Sequence, residues 1–210
     1  MGLKVIRMPL GSYQTNCYIL HDEKGHGIII DPGAEGTKIF NALEEYQIEP
    51  ESVILTHSHG DHVGALGEVL EKYNIPVYIH KDEEPFLKNA RLNLTGAMGV
   101  NLEVPSKLKL LEDNDEIEFH GHTIKVIHTP GHTPGGISLY VDQLLFSGDT
   151  LFYGSIGRTD FPGGDYNQII ESIVKLVKLP DDVIVLSGHG PETNVKFERE
   201  NNPFLRGVSL

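Results

Sequence analysis

Residues 56–62 read Thr-His-Ser-His-Gly-Asp-His, so three histidines and an aspartate fall within six consecutive positions. A short apolar, β-branched run from Ser52 to Thr56 precedes this stretch and predicts a buried strand. The apolar spacing from Val63 to Tyr73 predicts a helix after it. The polar side chains therefore lie on a loop between a strand and a helix.

The side chains of this loop have the chemistry of metal ligands. Neutral imidazole and carboxylate groups suit zinc, iron or manganese, and the absence of thiolate argues against a Cu(I) or iron–sulfur site. His57 and His59 are two residues apart in an extended loop and point the same way, whereas Asp61 and His62 open the next helix and point to a neighbouring position. We therefore expect this one loop to supply ligands to two metal ions.

The arrangement His-x-His-x-Asp-His resembles the signature of the metallo-β-lactamase superfamily, and further motifs of that family follow in order. Each stands just after an apolar run: His132 in Thr129-Pro-Gly-His-Thr-Pro-Gly135, Asp149 in Phe146-Ser-Gly-Asp-Thr150, and His189 in Leu186-Ser-Gly-His-Gly190. The resemblance extends from about the first strand to the C-terminus. It implies a four-layer αββα sandwich of the metallo-β-lactamase type, whereas the sequence pattern alone predicts only an α/β or α+β protein.

The same resemblance implies a centre with two divalent metal ions, for which zinc is expected and iron or manganese are the alternatives. It assigns His57, His59 and His132 to one metal, Asp61, His62 and His189 to the other, and Asp149 to the bridge between them. Asp61 is also given a catalytic role, because its carboxylate reduces the positive charge of the centre and helps to position the attacking hydroxide. Asp31 resembles the early aspartate of the superfamily and is expected to orient a ligand imidazole.

Length and charge limit the organisation and the partners of the protein. A chain of 210 residues that is 39% hydrophobic suits one domain spanning residues 1–210, or two closely packed halves. The net charge of −13, from 30 acidic and 17 basic residues, is spread along the chain. Nucleic-acid binding depends on clustered Lys and Arg, so we expect no nucleic-acid partner. The densest acidic run, Glu112 to Glu118, is expected to be a solvated turn between strands.

The sequence also predicts a compartment. Residues 1–7 have no apolar region of the length that a secretory signal needs, and no segment approaches the roughly 20 apolar residues of a membrane span. The single cysteine, Cys17, agrees with a reducing compartment and is expected to pack in the core. We therefore expect a cytoplasmic protein with no membrane partner. As to assembly, we expect a monomer or a homodimer.

Strands and helices follow from periodicity and turn residues. Strands are predicted at residues 4–8, 16–20, 27–30, 52–56, 76–80, 116–120, 123–127, 137–141, 144–146 and 182–186. Helices are predicted at residues 37–46, 63–73 and 165–179. The pattern weakens between Pro85 and Pro105, which is either part of a substrate cleft or a plain surface loop.

The remaining histidines carry no ligand spacing. Five of them are expected at the surface or at sheet edges: His21, His26, His80, His120 and His122. His128 precedes His132 by four residues. It is either a partner of that ligand or a core or edge residue.

The segment after Asp149 bears on the reaction. Gly154-Ser-Ile-Gly-Arg-Thr-Asp-Phe-Pro-Gly-Gly164 and the C-terminal Gly188-His-Gly-Pro191 resemble the small, single-domain glyoxalase II-like branch. Glyoxalase II hydrolyses S-lactoylglutathione, and the resemblance implies a thioesterase whose nucleophile is a hydroxide between the two metals. The expected partner is a small-molecule thioester. The chain departs from the full-length enzymes, since it lacks their C-terminal helical domain and has Gly157-Arg-Thr-Asp160 in place of Gly-Lys-Phe-Tyr.

A second enzyme class remains open. The run from Gly157 to Phe161 is also similar to that of the persulfide dioxygenases, which use the same fold with one iron. In that interpretation only His57, His132 and Asp149 bind the metal, as a facial set with open positions. Arg158 and Asp160 either pair with each other or contact the substrate.

Overall fold

The computed structural model describes residues 2–208, and the chain divides into two compact units. The first unit comprises Met1–Ile79 and Glu84–Leu110, and the second comprises His80–Glu83 and Leu111–Leu210. Each unit is built on a mixed six-stranded sheet with helices beside it. The α/β class expected from the sequence is therefore confirmed. Within residues 2–208, no helix has the length and apolar character needed to span a bilayer.

The sheet of the first unit has its strands in sequence order. They are β1 (Lys4–Leu10), β2 (Thr15–His21), β3 (His26–Ile30), β4 (Glu49–Ile54), β5 (Val77–His80) and β6 (Leu108–Leu111). The first three strands pair antiparallel, and β3, β4 and β5 pair parallel. The helices are α1 (Gly36–Glu45), α2 (Gly60–Val63), α3 (Leu66–Tyr73), α4 (Glu84–Leu87) and α5 (Thr95–Met98).

Parallel pairing determines where the histidine loop of the first unit lies. Strand β3 ends just before Asp31, and β4 ends just before the loop that carries His57 and His59. Neighbouring parallel strands end at the same edge of a sheet, and the Asp31 N–H donates to the carbonyl of Ile54 at 3.2 Å. The sheet therefore places Asp31 beside the start of the histidine loop.

The helix predicted at residues 63–73 is α3, which begins three residues later than predicted, at Leu66, because a separate short helix, α2, ends at Val63. The break falls at Gly64, where an added Cβ would collide with the carbonyl oxygen of Gly33. The Ala65 N–H donates to the carbonyl of Pro32 at 3.0 Å instead of continuing the first helix. A close approach of two backbone segments therefore ends α2 after one turn.

The second unit has its own sheet, in the order β14-β13-β10-β9-β8-β7. Its strands are β7 (Glu116–Phe119), β8 (His122–His128), β9 (Ile137–Val141), β10 (Leu144–Gly148), β11 (Leu151–Phe152), β12 (Ser155–Ile156), β13 (Ile184–Ser187) and β14 (Thr193–Asn194), of which β11 and β12 form a separate hairpin. The helices are α6 (Tyr166–Leu176) and α7 (Val195–Asn201). Two single-turn 3₁₀ helices, Lys81–Glu83 and Pro203–Leu205, complete the elements.

Parallel pairing recurs at the site-bearing edge of the second sheet. Strands β10 and β13 are its parallel pair, and they end just before Asp149 and His189. The Gly188 N–H donates to the carbonyl of Gly148 at 2.8 Å, which joins the two strand ends. Helix α6 holds the nearby His132 loop, since Ser172 Oγ donates to the Pro130 carbonyl at 2.7 Å. Side chains from three separate segments therefore meet at one edge.

The long predicted strands and helices are confirmed to within a few residues. The short elements β6, β11, β12, β14 and α7 were not predicted, and the segment from Pro85 to Pro105 contains α4 and α5 rather than only loop. The acidic run predicted as a turn, Glu112 to Glu118, is an exposed turn only over residues 112–115, since its last three residues belong to β7.

Burial confirms one residue prediction and contradicts two others. Cys17 is fully buried as predicted, and this burial strongly raises the pKa of its thiol. His21 and His80 are buried, so their expected surface or edge placement is wrong. His21 satisfies a ring nitrogen with the Asp22 carbonyl, 2.9 Å from Nδ1.

Candidate metal centre

The first unit holds three buried histidine rings close together. His57, His59 and His62 are at most 2% exposed. The ring centroid of His57 lies 4.9 Å from that of His59 and 4.1 Å from that of His62. Asp61 is more open, with its side chain 18% exposed and Oδ2 3.7 Å from His62 Nε2. The structure thus brings together the predicted ligands that belong to this unit.

Asp31 fixes the orientation of one of these rings. Its carboxylate is buried and accepts hydrogen bonds from the Thr56 N–H at 2.7 Å and from Thr56 Oγ at 2.6 Å. The same carboxylate lies 2.9 Å from His62 Nδ1. Because an ionised carboxylate can only accept, Nδ1 of His62 carries the proton and the Nε2 lone pair of the neutral ring is left for a metal. The expected contact between Asp31 and an imidazole of the histidine loop is therefore present.

Two further contacts hold Asp61 in place. Thr15 Oγ donates to Asp61 Oδ2 at 2.9 Å, and both residues belong to the first unit. A Cβ at Gly33 would collide with the carbonyl oxygen of Asp61, so only glycine permits the backbone to approach so closely there. The sequence analysis missed Thr15 and Thr56, because a hydroxyl that holds a carboxylate has no characteristic spacing.

In the second unit, one carboxylate oxygen lies between two imidazoles. Asp149 Oδ2 is 3.5 Å from His132 Nε2 and 3.5 Å from His189 Nε2. The other ring nitrogen of His132, Nδ1, lies 2.7 Å from the carbonyl oxygen of Arg158. A carbonyl can only accept, so the Nδ1 of His132 is protonated and its Nε2 lone pair faces Asp149.

The nitrogen–oxygen distances around Asp149 suit shared coordination of a metal ion better than direct hydrogen bonds. Two ligands bound at 2.0–2.2 Å to a tetrahedral ion lie about 3.4 Å apart, close to the 3.5 Å found on both sides of Asp149. In the neutral ring of His132, an electron lone pair faces an anionic oxygen, and a cation between the two atoms would relieve their repulsion. Within each unit, the described residues therefore have the donor chemistry of a metal site.

The segment after Asp149 ends in an ion pair. Arg158 donates from Nε and Nη2 to the two carboxylate oxygens of Asp160, both at 2.7 Å, and its guanidinium lies 3.8 Å from the ring centroid of Phe161. The hydrogen bonds from Arg158 lower the pKa of the Asp160 carboxyl to about 2. The two side chains therefore pair, as one of the two sequence interpretations proposed.

A second histidine group in this unit was not predicted. Ligand atoms of His80, Asp82 and His128 lie within 4.8 Å of one another. The rings of His80 and His128 are stacked, with centroids 4.1 Å apart and planes inclined by 12°. In-plane lone pairs of parallel rings do not converge on one ion, and His128 Nε2 lies 2.9 Å from the Pro134 carbonyl. Burial and the neighbouring His128 lower the pKa of His80, so we interpret the group as a stacked pair rather than a metal site.

Comparison with known proteins identifies related chains of the same extent. The sequence profile of the metallo-beta-lactamase superfamily matches residues 10–189. The probable metallo-hydrolase YqgX of Bacillus subtilis is 44% identical, with 99% of this chain and all of the relative covered. The hydroxyacylglutathione hydrolase GloC of Haemophilus influenzae is 34% identical, with both chains fully covered.

Solved structures agree with these relationships. The crystal structure of the BLEG-1 B3 metallo-beta-lactamase superposes with a TM-score of 0.92 at 39% identity, covering 97% of this chain and all of that one. The di-iron-bound form of TTHA1623 superposes with a TM-score of 0.85 at 36% identity, covering 95% of this chain and all of that one. The metallo-β-lactamase type of fold expected from the sequence is therefore confirmed, and TTHA1623 shows that such a fold can bind two irons.

The contact between Asp31 and His62 leads to a test of metal affinity. We expect Asp31→Asn to weaken metal binding about 10- to 100-fold, because the amide no longer orients His62 or raises its basicity. Competition with a chelating dye measures the affinity. Asp22→Asn is the matched control, since Asp22 is a buried carboxylate of the same unit that lies 2.8 Å from His26 Nδ1. Equal affinities for the two variants would contradict the assigned role of Asp31.

Proposed function

This chain belongs to the metallo-β-lactamase superfamily, and we propose that it is a metal-dependent thioesterase acting on S-lactoylglutathione or a similar acyl thioester. The observation that carries the proposal is that each unit holds buried imidazoles next to carboxylates. Hydrogen bonds at Nδ1 orient the rings of His62 and His132. The similarity to a hydroxyacylglutathione hydrolase supports the substrate class. The family match and the similarity to a probable metallo-hydrolase support the broader class, metallo-hydrolase.

The proposal assigns the ligands by correspondence with the superfamily motifs. His57, His59 and His132 would hold one metal and Asp61, His62 and His189 the other, with Asp149 between them. The contacts within the second unit support the bridging role, because Asp149 Oδ2 is equally distant from His132 and His189, which are assigned to different metals. Zinc is the expected ion, and the di-iron form of TTHA1623 makes iron the principal alternative.

The metal pair would supply acidity and polarisation, since ions about 3.5–4 Å apart lower the pKa of a bound water toward about 7 and polarise a carbonyl. The protein's own residues supply orientation. Thr15 Oγ donates to Asp61 Oδ2 and so holds the carboxylate in place, from where Asp61 would help to position the attacking water. Asp31 and the Arg158 carbonyl keep the Nδ1 protons on His62 and His132, so that the metal-facing nitrogens remain unprotonated.

The glutathione half of the substrate is anionic, so its recognition calls for a basic side chain. GloC carries the hydroxyacylglutathione hydrolase name over a chain that this one matches from end to end. An added helical domain is therefore not required for our proposal. Arg158 is exposed and offers a cation to an anionic thiol, although Asp160 competes for it.

A mononuclear iron persulfide dioxygenase is the second candidate. The observation that favours it is the Gly157-Arg-Thr-Asp-Phe161 run, and its ligands would be His57, His132 and Asp149. The Gly188-His-Gly-Pro191 ending favours the hydrolase. In either case we propose a small-molecule substrate, a cytoplasmic monomer or homodimer, and no nucleic-acid partner.

The first test is substrate turnover by protein reconstituted separately with zinc, manganese and iron. We expect S-lactoylglutathione hydrolysis with close to two metals bound per chain, measured by loss of thioester absorbance and by elemental analysis. One iron per chain, with O₂ uptake on glutathione persulfide and no thioester hydrolysis, would replace the thioesterase with the dioxygenase.

The second test removes ligands of one metal only. We expect Asp61→Ala and His62→Ala to lower the metal content toward one ion per chain and to reduce hydrolysis at least tenfold, because both residues are assigned to the same metal. His122→Ala serves as the control, since His122, at the start of β8, is paired with Asp142 and is not a predicted ligand. Near-normal turnover in both ligand variants would rule out the two-metal mechanism.

A further inference from the structure

We propose that a cavity beside Asp61 in the first unit is the subsite for a short, uncharged acyl chain. The cavity has a volume of about 210 Å³, and Asp61 is one of the residues that line it. This inference rests on the proposed thioesterase function, in which Asp61 stands at the reacting carbonyl. Three larger surface depressions, of about 540, 760 and 780 Å³, are lined by other residues and include none of the predicted ligands.

Small residues form the inner wall of the cavity. At Gly60 an added Cβ would come within 2.7 Å of Met98 Sδ, and at Gly11 it would come within 2.9 Å of the Ala34 Cβ. The turn that carries Gly11 is held in place, because the Gly11 N–H donates to Glu35 at 2.9 Å. These close approaches show that glycine lets the loop of Gly11 and the start of α2 pack tightly against Ala34 and Met98, which fixes this wall of the cavity.

The outer wall is apolar and partly adaptable. It is formed by Leu10, Tyr13, Met98 and Val100, and Met98 and Val100 are half-buried. Methionine is flexible and polarisable, so it adjusts to ligands of different shape. The wall therefore has the apolar lining typical of small-molecule sites.

Charge determines which half of the thioester enters. The charged side chains that line the cavity are the carboxylates of Asp61 and Glu35, and no Lys or Arg is among the lining residues. Glu35 is paired with Lys38 at 2.8 Å outside the lining, so Asp61 contributes the main negative charge. An anionic thiol such as glutathione would be repelled there, whereas a neutral acyl chain would not. The acyl half is joined directly to the carbonyl and so lies beside Asp61 in the proposed reaction. Both arguments assign the cavity to the acyl group.

The volume of the cavity limits the length of the acyl chain. The cavity volume of about 210 Å³ is below the roughly 300–1,000 Å³ of sites for drug-sized ligands, so it suits a short acyl chain. We expect acyl chains of about four to six carbon atoms to fit. Each methylene buried on the way to that limit is expected to raise kcat/KM about fourfold.

The test uses zinc-reconstituted protein and straight-chain acyl thioesters of one neutral thiol, N-acetylcysteamine, from acetyl to octanoyl. We expect kcat/KM to rise to about six carbons and then to fall. Val100→Phe is expected to lower the ratio of the hexanoyl to the acetyl kcat/KM at least tenfold, because the added ring would occupy the far part of the cavity. Met98→Ala is expected to move the optimum longer by one or two carbons. Val104→Phe, an exposed position outside the cavity, is the matched control.

A binding measurement tests the acyl cavity independently of thioesterase activity. Calorimetric titration of the same protein with carboxylates from acetate to octanoate is expected to show tighter binding with chain length, lost in Val100→Phe and kept in Val104→Phe. If no thioester is hydrolysed, the thioesterase fails, and this titration still supports or overturns the acyl cavity. If thioesters are hydrolysed but the length profiles of wild type, Val100→Phe and Met98→Ala coincide, the cavity is overturned and the thioesterase stands.

Discussion

The buried carboxylate of Asp31 is the group on which the metal-binding half of the first unit depends. It accepts hydrogen bonds from the Thr56 N–H, the Thr56 hydroxyl and the His62 Nδ1–H, so one side chain fixes both the start of the histidine loop and a ring within it. Asp31 has a φ of 52°, a left-handed conformation that non-glycine residues seldom adopt. A residue held in that conformation indicates that the surrounding contacts outweigh its cost.

In the second unit a backbone carbonyl orients the imidazole. The carbonyl of Arg158 accepts a hydrogen bond from the His132 Nδ1–H, while Asp149 lies between His132 and His189. In both units the site lies where neighbouring parallel strands end, β3 and β4 in one and β10 and β13 in the other. Within each unit, the sheet therefore brings residues that are distant in sequence to one of its edges. Hydrogen bonds to Asp31 and to the Arg158 carbonyl orient the imidazoles there.

The sequence predicted the fold and the clustering of histidines within each unit, because motif order and clustered residues are local properties. It also predicted the long strands, whose apolar periodicity survives in the fold. It failed where tertiary contacts decide: the α2–α3 break depends on the approach of Gly33 to Gly64, and Thr15 and Thr56 act through single hydroxyl contacts. His80 is polar and lies in a strand, so the pattern suggested exposure, yet stacking on His128 accommodates it in the interior.

The central claim is that the donors of the two units hold a pair of metal ions with Asp149 between them. Anomalous diffraction from crystals of metal-loaded protein, measured at the absorption edge of the bound metal, tests it most directly. The account predicts two anomalous peaks per chain, about 3.5–4 Å apart, with the Asp149 carboxylate in contact with both. A single peak bound by His57, His132 and Asp149 alone, or two peaks that share no ligand, would contradict it.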